Sequence, residues 1–65
     1  MRRIRKVRAS QLSTDMLFME GTRGRKICEF HYNHPAKQVE IVYKGADGRF
    51  EHKTFGAMHK VTVKY

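Results

Sequence analysis

Val39-Glu40-Ile41-Val42-Tyr43-Lys44-Gly45-Ala46-Asp47-Gly48-Arg49-Phe50 decides the fold class of this chain. Val39, Ile41 and Tyr43 alternate with Gln38, Glu40, Val42 and Lys44, the period of a strand that buries one face. Asp47-Gly48 then supplies the positive-φ residue that a tight hairpin demands, so the chain reverses and pairs with itself. The returning segment, Arg49 to Phe55, sets Phe50, His52 and Thr54 on one side and Glu51, Lys53 and Phe55 on the other. Composition does not choose which of those two sides faces the core.

Working outward, the same period returns in Val61, Val63 and Tyr65, which alternate with Lys60, Thr62 and Lys64. Asn33-His34-Pro35-Ala36 separates the central hairpin from an earlier strand, because proline lacks an amide hydrogen and biases the residue before it away from helix. Gly21-Thr22-Arg23-Gly24 forms a turn between Met16-Leu17-Phe18-Met19 and the strand that starts at Arg25. Ala9 to Asp15 is polar apart from Leu12 and its own first alanine, and its Ser, Thr and Asp favour local side-chain to backbone bonds over a ladder. Gly56-Ala57-Met58-His59 is too short for an α-helix and predicts a single 3₁₀ turn before the last strand. No run of eleven or more residues carries apolar side chains at helical spacing.

Cys28-Glu29-Phe30-His31-Tyr32-Asn33-His34 places a thiol and two imidazoles close together in sequence. In a strand, Cys28 and His31 point to opposite faces, and Cys28 and His34 lie about 20 Å apart, so the spacing argues against a zinc site. Parity instead groups Cys28, Phe30 and Tyr32 as the more apolar, core-facing set, with Ile27 also buried if the strand bends to serve both halves of the sheet. A core-facing thiol has a raised pKa, which argues against a Cys–His nucleophile. Gly21-x-x-Gly24 lacks the lysine and helix start of a phosphate loop.

Sixty-five residues make one domain near the lower size limit for folding without a metal, a disulfide or a partner. Few residues remain to build a water-excluding cleft, so the chain is expected to be non-enzymatic, without cofactor, metal or small-molecule substrate. One cysteine makes no internal disulfide, and no segment is long and apolar enough to span a bilayer; a cytoplasmic, soluble protein is expected. Residues 1–6 form a basic arm or the start of the first strand, and residues 7–65 the domain.

The five to six short strands, tight links and 3₁₀ turn predict an all-β fold, a small antiparallel barrel or strongly bent sheet. Val7, Ala9, Leu12 and Asp15 at the opening, with Phe55, Gly56, Val61 and Val63 at the close, resemble an SH3-like small β-barrel. The layout is similar in particular to single-domain accessory proteins encoded by bacteriophages, including those of actinobacteria. Thr14 stands where such openings usually carry glycine before the aspartate. The resemblance implies a binding module for nucleic acid, peptides or other proteins.

Fourteen Lys and Arg against six Asp and Glu leave a formal charge of +8. The dense block is Arg2, Arg3, Arg5, Lys6 and Arg8, and such a field attracts acidic partners. With Arg23, Arg25 and Lys26 these residues are the expected nucleic-acid-binding set, the other reading of the arm being a solvated terminus. No RNP-like aromatic motif accompanies them. The competing expectation is a protein-interaction module that binds and modulates a host protein through Met16 and Phe18, where alternation fails and both faces carry large side chains. That segment is equally readable as buried on both sides. Strand edges leave room for strand addition or self-association, and the lack of an amphipathic helix argues against a membrane surface.

Overall fold

The computed structural model describes residues 3–65. Six strands run in chain order: β1 (Ile4–Arg8), β2 (Leu17–Glu20), β3 (Arg23–Asn33), β4 (Gln38–Lys44), β5 (Phe50–Gly56) and β6 (Lys60–Lys64). They form one antiparallel sheet in the order β1-β6-β2-β3-β4-β5. The fold is therefore all-β, as the alternation predicts. The sheet does not close: β1 and β5 are free edges, so a closed barrel is not what forms. Lys53 on the β5 edge points inward, its ammonium 5.4 Å from the Phe18 ring centre, and an inward charge on an edge strand resists edge-to-edge pairing.

The sheet curls strongly. β2 and β5 lie three strand positions apart, about 14 Å in a flat sheet, yet the rings of Phe18 and Phe55 are 6.0 Å apart. Phe18 also packs against Tyr43 at 5.1 Å. The core lies inside this curl, with Ile27, Val39, Ile41 and Val63 fully buried and Ala9, Leu12 and Met16 closing one end. The buried face of β6 is the one the alternation predicts, and so is that of β4 except that Val42, on the opposite parity, is buried as well; Tyr65 lies exposed beyond the end of β6. On β5, the ambiguous strand, Phe55 is the residue that packs on the core, while Phe50 is 64% exposed.

Three turns follow the local chemistry. Gly48 takes φ 81° in the β4–β5 link, where its amide donates to the Gly45 carbonyl at 3.1 Å and Asp47 accepts from the Arg49 amide at 3.0 Å. Gly21 takes φ 64° in the two-residue β2–β3 turn. Lys37, at φ 50°, ends the β3–β4 turn, and its amide donates to the His34 carbonyl at 3.1 Å.

Two expectations need correction. The 3₁₀ turn lies at Ala9–Gln11, after β1, and not before the last strand. There Gln11 accepts from the Arg8 amide at 3.2 Å, and the Leu12 amide donates to Ala9 at 3.1 Å. Gly56 to His59 makes only one i to i+3 bond, and Ala57 is held instead by neighbouring segments: its amide donates to Lys37 and its carbonyl accepts from Ser10.

The second correction concerns β3. Its pairing with β4 shifts between Ile27 and Glu29, so Cys28 is an extra residue, a bulge that resets the alternation. Ile27 thus points into the core before the bulge, and Phe30 and Tyr32 pack against it afterwards. Cys28 itself is half-buried, not a core residue of the Phe30 set.

Candidate nucleic-acid interface

In an antiparallel pair, residues directly opposite project to the same face, so the register fixes which cations converge. β1 pairs with β6 as Ile4 with Lys64, Lys6 with Thr62 and Arg8 with Lys60. β6 pairs with β2 through Lys64 and Leu17, and β2 with β3 through Leu17 and Lys26. Val61 and Val63, of opposite parity, are buried, so this set forms the outer face. One row, Ile4, Lys64, Leu17 and Lys26, crosses four strands. With Lys6, Arg8 and Lys60, the paired outer positions of this half of the sheet hold five cations and no carboxylate. Leu17 lies over Gly24, where an added Cβ would come within 3.0 Å of the leucine side chain. Cations alternate with apolar side chains, a surface suited to a phosphate backbone and its sugars.

The other half of the outer surface is different. After the bulge it carries Glu29 and His31, 3.3 Å apart, and Glu40 and His52, 3.6 Å apart. These pairs mix charges, so the carboxylate-free run of cations lies in the β1-β6-β2-β3 half.

The sequence-predicted cations divide accordingly. Lys6, Arg8 and Lys26 belong to the face. Arg5 has the opposite parity, pairs with Val63 and lies 5.0 Å over the Tyr65 ring. Arg3 is exposed with that parity, its backbone exchanging bonds of 2.8 and 3.0 Å with Tyr65. Arg23 is exposed opposite Glu20. Arg25 is withdrawn from any partner: its side chain is 15% exposed and donates to Glu20 at 3.2 Å. Arg2 lies outside the described residues.

Met16 and Phe18, expected as a protein-binding surface, are core side chains with 9% and 6% exposure. The curl of the sheet brings Tyr43 and Phe55 over Phe18, so the half-exposed side chains of that strand are Leu17 and Met19. Sequence reasoning missed Lys60 and Lys64. Their signal was present, as lysines alternating with Thr62 opposite the buried valines, but only the pairing of the two chain ends joins them to the arm.

Tyr43 is the titratable group that the fold perturbs most clearly. Burial raises its pKa above the ordinary phenol value of 10.0, and the charges of Glu20 and Glu51 add to the effect. Its hydroxyl donates to Glu20 at 3.4 Å. Among the described residues no three His, Cys, Asp or Glu side chains gather as metal ligands would, and no helix is long and apolar enough to cross a membrane. Comparison with protein-family models, curated proteins and solved structures finds no match to the chain.

Proposed function

We propose that this protein is a non-enzymatic binding module that engages nucleic acid electrostatically through the outer face of β1, β6, β2 and β3. The observation that carries the proposal is the register that aligns Lys6, Arg8, Lys26, Lys60 and Lys64 without a carboxylate among them. Five phosphate contacts correspond to a slope of log affinity against log salt of about −4.5 on duplex and about −3.5 on a single strand. Fluorescence anisotropy with labelled DNA and RNA oligonucleotides between about 50 and 300 mM salt reads this slope directly. Binding that persists at physiological salt supports the proposal. Binding that vanishes by about 150 mM marks the charge as nonspecific and refutes it.

The proposal includes kinship with SH3-like small barrels of phage accessory proteins. Its support is the curled five-strand run β6-β2-β3-β4-β5, with a long β3 shared by both halves. A cytoplasmic setting, inside a host cell if phage-encoded, belongs to the same reading. Capture of a host protein through Met16 and Phe18 is the less favoured reading, because at 9% and 6% exposure the two residues offer little surface.

A further inference from the structure

An open groove of about 560 Å³ lies between the β3–β4 and β5–β6 turns, within the size range of small-molecule sites. Two aromatic stacks border it. Tyr32 stacks on His34 with ring centres 4.2 Å apart and planes inclined by 11°, and Phe55 stacks on His59 at 5.7 Å and 11°. Both imidazoles line the groove and both residues are exposed. The two imidazoles thus bring aromatic rings to the groove wall.

The rest of the lining indicates what that group carries. Lys37, fixed at the end of its turn, supplies a positive charge, and Met58, 67% exposed, supplies a soft, adaptable wall. No carboxylate lines the groove among the described residues. The Ala57 amide donates to the Lys37 carbonyl at 2.9 Å, tying the two turns together. A planar ring bearing an anion matches this chemistry.

The groove is a separate surface from the basic outer face, since Tyr32 and Phe55 beside it pack on the core. We infer that the groove receives an unpaired nucleobase, stacked on His34 or His59 with Lys37 at its phosphate. The inference rests on the nucleic-acid reading and adds a preference for single strands, because bases in a duplex are not free to enter.

The test compares three labelled probes of equal length: a base-bearing single strand, an abasic strand and a duplex. The proteins are the wild type, the pair His34→Ala with His59→Ala, and the pair His34→Tyr with His59→Tyr. The wild type is expected to prefer the base-bearing strand to the abasic one by at least about fivefold. The alanine pair loses that preference and keeps its duplex affinity; the tyrosine pair restores it, which identifies stacking, because tyrosine brings no positive charge. A wild type that binds all three probes with the expected salt slope but without preference for bases overturns the groove and leaves the basic face standing. An alanine pair that keeps the preference, or that loses duplex binding equally, also overturns it. A wild type that binds no probe overturns both readings.

Discussion

Phe18→Ala tests the curl of the sheet, on which the inner and outer faces depend. The ring is 6% exposed and packs against Tyr43 at 5.1 Å and Phe55 at 6.0 Å, in tilted geometries that contribute beyond area burial. Truncating a buried phenylalanine costs about 3 to 5 kcal/mol. A domain of this size has a total stability of roughly 3 to 10 kcal/mol at about 0.05 to 0.15 kcal/mol per residue. The variant therefore sits at or near the unfolding threshold at 25 °C. Urea denaturation followed by far-ultraviolet circular dichroism reads this loss as a large fall in midpoint with an unchanged slope. Phe30→Ala, at a half-buried site beyond the Cys28 bulge, is expected to cost about half as much. A Phe18→Ala protein that melts like the wild type would show that this ring faces solvent, and the sheet would then have to be flat at β2.

Gly48→Ala forces a side chain into φ 81°, where space is open but the backbone is unfavourable, and about 1 kcal/mol is expected. The corresponding fall in melting temperature is about 4 to 8 °C, whereas Gly56→Ala, with no positive φ and open space, should stay within about 0.5 kcal/mol of wild type. Tyr43 predicts alkaline sensitivity: its folded pKa is raised, so its contribution to stability is complete below the ordinary phenol value and is lost as pH climbs through the folded value. Tyr43→Phe removes that titration, and its alkaline unfolding midpoint should lie higher than the wild type's; an identical midpoint would contradict the assignment.

Local chemistry made much of this fold legible. Period two in Val39 to Tyr43 and in Val61 to Val63, with Asp47-Gly48 between flanking strands, is enough to specify an antiparallel sheet and its core-facing residues, though not the burial of Val42 on the other side of β4. The bulge at Cys28 was not legible, because an extra residue in one strand is defined by its partner, and neither Ile27 nor Phe30 signals it alone. The same reason hid the basic face. Arg5 and Lys6 look equivalent in sequence, yet one pairs with Val63 and the other with Thr62, which sends them to opposite sides. Phe18 misled for a related cause: its strand is apolar on both faces, and only the curl against Phe55 shows which face is inside.

The central claim is that one face of the sheet carries the binding charge. Two double charge reversals, Lys60→Glu with Lys64→Glu and Arg3→Glu with Arg5→Glu, change net charge equally but alter opposite parities of the β1–β6 ladder. At about 150 mM salt the screening length is about 8 Å, so distant charge contributes little. The account predicts that the lysine pair loses most duplex affinity and that its salt slope becomes shallower by about 1.8, while the arginine pair keeps most of its affinity. Equal losses, or a larger loss in the arginine pair, would contradict it.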